Sequence, residues 1–439
     1  MKEKLHWLAM HGFFRGAAAI GVRRGEVNSR LIADPRVRAD PVPFYDEVRA
    51  HGAMVKGRVS YLVVDHALAG ELLRSDDFRV VMMGSNLPRA LGWLERRTRD
   101  DLLHPLRPPS LLAVEPPDHT RYRKSVSAVF TPRAVAALRD RVEQTAVGLL
   151  DRLAEDSGVV DIVPRYCSEL PVQIISDILG VPDEDRGRVL EFGELAAPSL
   201  DIGLPWRQYI SVQRGIAGFD LWLTDHLRKL RRTPGDNLLS QLIQRAESGS
   251  AETYLSETEL MGIAGLVLAA GFETTVNLLS NGIRMLLDAP EHLEVLRERP
   301  ELWSNTVEEI LRLEPPVQLT ARVALKDVEH PAGRIDRGEL VVVYLAAANR
   351  DPSVFDDPHR FDIERSNAGR HLAFSAGRHF CLGAALARAE GEVGLRTLFE
   401  RFPNARAAGA GSRRDTRVLR GWASLPVLLG PRSLARVDG

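Results

Sequence analysis

The longest stretch of the chain with a helical apolar period begins at Ser256-Glu257-Thr258-Glu259. That quartet has the form of a capping box, in which the first hydroxyl and the fourth carboxylate satisfy each other's backbone N–H groups. The helix it opens is predicted to run to about Leu287, roughly 32 residues and about 48 Å at the usual rise per residue. From Met261 to Ala269 its positions are apolar on every side, so it should thread the core. Other helices follow from the same period: a short one after Pro43-Phe44-Tyr45, His66 to Arg74, a stretch carrying Val135, Leu138, Val142, Leu149 and Leu153, and Val172 to Leu179 before Gly180. Tyr61 to Val64 and Leu340 to Leu345 read as strands. The chain is therefore predicted to be mainly α with a smaller β-rich region.

Two stretches break the pattern. Between Phe78 and Leu112, turns and charges surround Met82, Met83, Leu87, Leu91 and Trp93, and a long irregular stretch inside a compact protein is usually functional. It is assigned to a substrate pocket. Residues 195–210 hold Pro198, Gly203 and Pro205 among apolar residues and read as a loop able to act as a mobile lid.

The 439 residues show no linker and no internal repeat, so one unit over 1–439 is expected, with 1–40 as a lead-in segment. A net charge of −1 gives no reason to expect nucleic acid. The apolar residues 7–22 are interrupted by His11 and Arg15 and fall short of the roughly 20 needed for a membrane span. No signal-peptide cleavage site follows them. The expectation is a cytoplasmic protein without a membrane span, with Trp7, Phe13 and Phe14 as candidates for a peripheral lipid contact. Two cysteines, Cys167 and Cys381, argue for a reducing compartment and exclude an all-cysteine iron–sulfur cluster or a structural zinc site within the chain.

Candidate chemistry gathers at Phe374-Ser375-Ala376-Gly377-Arg378-His379-Phe380-Cys381-Leu382-Gly383, a loop that delivers Cys381 to the start of a helix over 384–398. Unpaired N–H groups and the positive end of the helix dipole favour a thiolate there. Thiolate is the form that ligates soft metals or haem iron. Gly377 and Gly383 leave backbone room beside a flat cofactor, and Phe374 offers an aromatic wall. Taken alone, a cysteine is more often a core residue. His119 and Arg123 share a helical face and could hold two carboxylates, although such a pair alone is more often a solvated face. In Ala269-Ala270-Gly271-Phe272-Glu273-Thr274-Thr275 an acid and alcohols interrupt an otherwise dry helix. That is costly unless water or chemistry uses them, or unless a polar notch is satisfied within a bundle. Asn305 is a candidate cap for a helix carrying Glu309 and Arg312, which ends before Pro315-Pro316.

Together these stretches resemble the cytochrome P450 family. The cysteine-ligand loop matches at Phe374, Gly377, His379, Cys381 and Gly383 and departs at Ser375, where the family most often has glycine. His119 and Arg123 match its His-x-x-x-Arg element, Ala270, Gly271, Glu273 and Thr274 its oxygen-activating signature, and Glu309 with Arg312 its Glu-x-x-Arg element, completed by Arg365. The segment 420–427 resembles the terminal hairpin whose tip enters the pocket. The motifs stand in the family's order over residues 40–430.

The resemblance implies a P450 fold around the long central helix and the cysteine loop, with haem b ligated by Cys381. His119, Arg123, Arg322 and His379 would hold propionates, Glu273 and Thr274 would manage protons and water for dioxygen, and Glu309, Arg312 and Arg365 would be structural. It further implies oxygen insertion into an apolar small molecule, with electrons from a ferredoxin and an NAD(P)H-dependent ferredoxin reductase. Arg121, Lys124, Arg370 and Arg388 would form the docking face. A peroxide-driven peroxygenase and a haem-based sensor or ligand carrier are the rival readings.

Overall fold

Glu257–Asp288 is one helix of 32 residues, opened by the capping box of Ser256 and Glu259. The computed structural model describes residues 1–85, 87–155, 158–248 and 254–431. By length and composition this helix is apolar enough to cross a membrane, yet most of it is buried inside the protein, as a core helix is. Helices Glu169–Leu179, Trp303–Leu313 and Ala384–Arg401 pack around it. A Cβ at Gly271 would lie 2.6 Å from Ile175 Cγ1, so this glycine lets the Glu169–Leu179 helix approach.

A five-stranded sheet flanks the helices. In chain order its strands are β1 (Met54–Lys56), β2 (Tyr61–Val63), β3 (Phe78–Val80), β4 (Thr320–Ala324) and β5 (Leu340–Val343), and they lie side by side as β1-β2-β5-β4-β3. Only β2 and β5 pair in parallel; the other neighbours are antiparallel. The register sets Arg322 of β4 opposite Val80 of β3. Near the C-terminus, Trp422–Ser424 pairs with Ser412–Arg413, and the residues between them reach into a cavity beside the central helix.

Glu309 and Arg312 are fully buried. The carboxylate of Glu309 accepts from Arg312 Nε and Nη2 at 2.6 and 2.7 Å, from Arg365 Nε at 3.1 Å and from the N–H of Asp362 at 3.1 Å. Arg312 also donates to the carbonyls of Asn349, Pro358 and Arg360, and so staples the irregular approach to the cysteine loop onto its helix. Asn305 is not a cap. The helix starts at Trp303, and Asn305 Nδ2 donates to the carbonyls of Ile363 and Arg365, a tertiary choice that no local pattern encodes.

Because removing one partner leaves the others as uncompensated buried charges, Arg312→Leu is expected to destabilise the fold by about 3–5 kcal/mol. Arg312→Lys should rescue little, since an ammonium lacks the fork. Thermal unfolding checks this. A loss below about 1 kcal/mol, the worth of an exposed pair, would count against the network.

Several helices lay outside the sequence expectations, among them Asp183–Ala196 and Trp206–Arg232, whose ends take in parts of the expected 195–210 loop. Arg89–Thr98 falls in the stretch expected to be irregular; its buried face carries Gly92, Glu95 and Thr98 rather than large apolar residues. Residues 2–23 are almost continuously helical, as Lys2–Trp7, a widened turn over Leu8–Gly12 and Phe13–Arg23. Trp7 is not available to a bilayer, because its Nε1 donates to Leu204 O and its ring meets Trp206 edge-on.

Candidate active site

The cysteine loop is closed on itself by the N–H of Cys381, which donates to Phe374 O at 2.9 Å. Gly377 has φ +70, and a Cβ there would lie 2.5 Å from Leu73 O, so the end of the His66–Arg74 helix already demands a glycine here. A Cβ at Gly383 would meet nothing within 4 Å, which leaves the expected open space beside the sulfur. Ser375 takes φ +62, the left-handed conformation that glycine occupies more cheaply, by about 1 kcal/mol. Phe374 lies under the Arg388 guanidinium at 4.6 Å and beside Phe380. Gly383 precedes the helix Ala384–Arg401, as the sequence led us to expect.

The two cysteines differ in kind. Cys167 is fully buried in the core, and burial pushes its thiol far up. Cys381 keeps accessible surface, yet the protein crowded about the sulfur still raises its thiol, while the Gly383 N–H, Arg123 and Arg388 pull it down. The Gly383 N–H and the two arginines oppose that crowding, and a metal bound by the sulfur would favour the thiolate.

Of the four expected propionate partners, three form one cluster. The rings of His119 and His379 lie 4.4 Å apart, and each has a buried Nε2 without a hydrogen-bond partner. His379 Nε2 stands 3.5 Å from Glu115 Oε2, within ion-pair reach but misaligned as a hydrogen bond. Burial, then the neighbouring His379 and Arg123, lowers the His119 pKa to about 4. Arg322 is buried and has no ion pair among the described residues; burial lowers it to about 10. Two unpartnered imidazole nitrogens and a buried cation that only the nearby Glu115 offsets are what two incoming carboxylates would satisfy. The fourth residue, Arg123, donates through Nη1 to the carbonyls of Arg378 and Phe380 and so clamps the cysteine loop. On these grounds the residues fit a haem.

The notch of the central helix opens on a cavity of about 1600 Å³, lined by Ala269, Ala270, Glu273 and Thr274 together with Arg322, Met83 and Leu419. Thr274 Oγ1 donates to Ala270 O at 3.1 Å, which leaves its lone pairs free to accept. Glu273 does not bond Thr274, since neighbouring helix positions point apart. Its carboxylate is buried, and Oε1 lies 3.1 Å from Arg414 Nη1. Arg414 Nη2 is 3.6 Å from Glu194 Oε1, so a line of charges leads from the half-exposed Glu194 to the cavity. Sequence reasoning missed Arg414 and Glu194, which lie far from the motif and carry no pattern. It also missed Glu390, fully buried beside the Thr275 hydroxyl, with its pKa pushed up to about 8 by burial.

Burial also pushes Glu273 up to about 7, against the pull of Arg414 and with Glu194 adding to the rise. A carboxyl that binds its proton more tightly folded than unfolded contributes stability fully below its ordinary value, 4.5, and loses it as pH rises through about 7. Glu273→Gln keeps the neutral shape. It is expected to stabilise the protein by about 2–3 kcal/mol above pH 8 and to do little near pH 4. Equal shifts of the unfolding temperature at both pH values would contradict this.

A family profile described as Cytochrome P450 matches residues 206–406. The chain is 76% identical over 431 residues to a Mycobacterium tuberculosis protein designated cytochrome P450 140, covering 98% of each chain. It is 44% identical over 321 residues to 6-deoxyerythronolide B hydroxylase of Saccharopolyspora erythraea, covering 72% of this chain and 76% of that one. Its fold superposes on the ligand-free crystal structure of Mycobacterium smegmatis CYP164A2 with a TM-score of 0.79 at 34% identity, over 92% of this chain and 99% of that chain. With this fold, the stapled cysteine loop and likeness along its whole length, the chain belongs to the cytochrome P450 family, whose cofactor is an iron protoporphyrin held by a cysteine thiolate, here Cys381.

Proposed function

We propose that the protein is a monooxygenase that inserts one atom of dioxygen into an apolar small molecule while the other becomes water, with electrons from a separate ferredoxin and its NAD(P)H-dependent reductase. The observation that carries this reading is Thr274 and Glu273 together on the wall of one large cavity. The relative named as a 6-deoxyerythronolide B hydroxylase supports it. When bound, haem supplies the redox chemistry with dioxygen.

The chain's own residues do the rest. His119, His379 and Arg322 would anchor the propionates, and Arg123 would hold the Cys381 loop in place. Thr274 accepts a hydrogen bond from a water or a reacting hydroxyl in the cavity. Glu273, poised near neutrality, can both release and retrieve a proton at physiological pH. Arg414 and Glu194 continue that path outward. A peroxide-driven enzyme would need no such line of groups.

The reading is tested by screening apolar compounds for a shift of the haem spectrum, then measuring substrate-dependent NADPH consumption and hydroxylated product with an added ferredoxin system. Turnover only with peroxide, or ligand binding without turnover, would overturn it.

Docking of the ferredoxin rests on fewer charges than the sequence suggested. Arg121 is paired with Glu259 and Asp118, and Arg388 with Glu308, so neither presents an uncompensated charge. Lys124 and Arg370 are both exposed, and Lys124 also has an interaction within the protein. Reduction by an acidic ferredoxin is expected to slow with rising ionic strength, and to slow about tenfold on double charge reversal at Lys124 and Arg370. A rate indifferent to both changes would remove this face as the docking site.

A further inference from the structure

The helix over residues 2–23 forms part of the cavity that none of the haem motifs covers. Its Met10, Phe13, Phe14, Ala17 and Ile20 line the same space as Ala270 and Thr274. Phe13 and Ile20 keep 45% and 51% of their surface accessible, so this face of the helix offers apolar surface to the cavity.

The helix is held in place by the segment leading into the helix Trp206–Arg232. Trp7 Nε1 donates to Leu204 O at 2.9 Å, and Arg15 Nη1 donates to Gly203 O at 3.0 Å. The N–H groups of Gly203 and Leu204 both donate to His11 Nδ1, at 3.2 and 3.3 Å. Burial, then the nearby His6, Arg417 and Arg15, keeps His11 near pKa 3, so this nitrogen stays an acceptor at neutral pH. Trp206 lies edge-on to Trp7 and stacks on Tyr209. On the other side of the segment, the buried Asp201 carboxylate accepts the N–H groups of Arg417 and Val418, which belong to the cavity-facing tip of the C-terminal hairpin. Three stretches distant in sequence thus meet along one seam of the cavity. The segment expected to be a free lid is latched on both sides.

We propose that the N-terminal helix is the specificity-determining wall of the substrate cavity, contacted at Phe14 and Met10 by the far part of a long apolar substrate whose reacting part lies at Thr274. The proposal rests on the monooxygenase reading. The cavity includes the space that a haem would fill beside Ala270 and Arg322, and the rest of it runs to Met10 and Phe14, so only a long ligand touches both Thr274 and the wall. Short apolar molecules would touch Thr274 without meeting the wall and gain nothing from it.

The test uses 1-alkylimidazoles of increasing chain length. The imidazole fixes one end at the haem iron, and the alkyl tail probes the cavity beyond it. Affinities are read from the haem spectrum of the full-length wild type and of Phe14→Ala and Ala17→Phe. The expected result is wild-type affinity that rises with tail length, a loss of about tenfold or more for the longest tails in Phe14→Ala, and a shorter longest accepted tail in Ala17→Phe. The shortest tails and the carbon monoxide band should be the same in all three proteins, which also reports that the variants are folded. Length profiles that coincide would overturn the proposal while leaving the monooxygenase reading intact. Failure of oxygen-dependent turnover with the profiles separated as expected would overturn that reading and keep the wall.

Discussion

Cys381→His is expected to abolish the red-shifted carbon monoxide band of thiolate ligation while haem remains in a fraction of the molecules. The propionate partners do not depend on the sulfur. His119, His379 and Arg322 belong to the Asp118–Val126 helix, the cysteine loop and β4, and the unpartnered Nε2 atoms of the two histidines and the buried Arg322 remain in the variant. What disappears is the anionic ligand that pushes electron density toward O–O cleavage. Oxygen-dependent product formation should therefore fall about a hundredfold or more. The control is Cys167→Ala. That cysteine sits in the core with its thiol held protonated, and its loss should cost some packing stability but leave the band unchanged. Retention of the band in Cys381→His would remove Cys381 as the ligand.

How far the sequence alone could be read depends on whether a residue's reason is local. The capping box of Ser256 and Glu259 lies within four residues, and it set the start of the central helix correctly. The end of Glu169–Leu179 at the left-handed Gly180 and the core position of Cys167 followed from equally short patterns. Glu309, Arg312 and Arg365 were identified by resemblance, and their distances bear out a structural role. What stayed hidden were reasons whose partner is distant in sequence. Gly271 and Gly377 are glycines for Ile175 and Leu73, neither of which announces itself in the motif. Arg123 found two loop carbonyls, and Arg121 and Arg388 found acids on other helices. Arg414 reaches Glu273 across 141 positions of chain because the hairpin folds back, and only tertiary structure brings such groups together. The N-terminal helix was legible only as a moderately apolar segment. Its reason for being apolar is the cavity, which a period cannot reveal.

Thr274→Ala is expected to keep consuming NADPH and oxygen while forming less hydroxylated product and more hydrogen peroxide. Oxygen insertion needs protons delivered at the right atom, and the hydroxyl is placed to receive a hydrogen bond there because its own proton is committed to Ala270 O. Alanine removes that acceptor without disturbing the helix, since the back-bond it forfeits contributes little to helix stability. Positioned donors and acceptors of this kind are worth about 10²–10³ in rate, so the ratio of product to NADPH should fall severalfold at least. Serine at 274 should recover most of the coupling, because it restores the hydroxyl and loses only a methyl group. Peroxide added from outside should restore part of the product in the alanine variant, as it arrives with its protons in place. Glu273→Gln should behave differently. It removes the group that exchanges protons with Arg414, Glu194 and the surface, and so should slow oxygen-dependent turnover more than it uncouples it. Stoichiometry of NADPH, oxygen, peroxide and product in the four proteins separates these outcomes. Tight coupling in Thr274→Ala would mean that the hydroxyl is only a notch in the helix, or that the substrate brings a hydroxyl of its own.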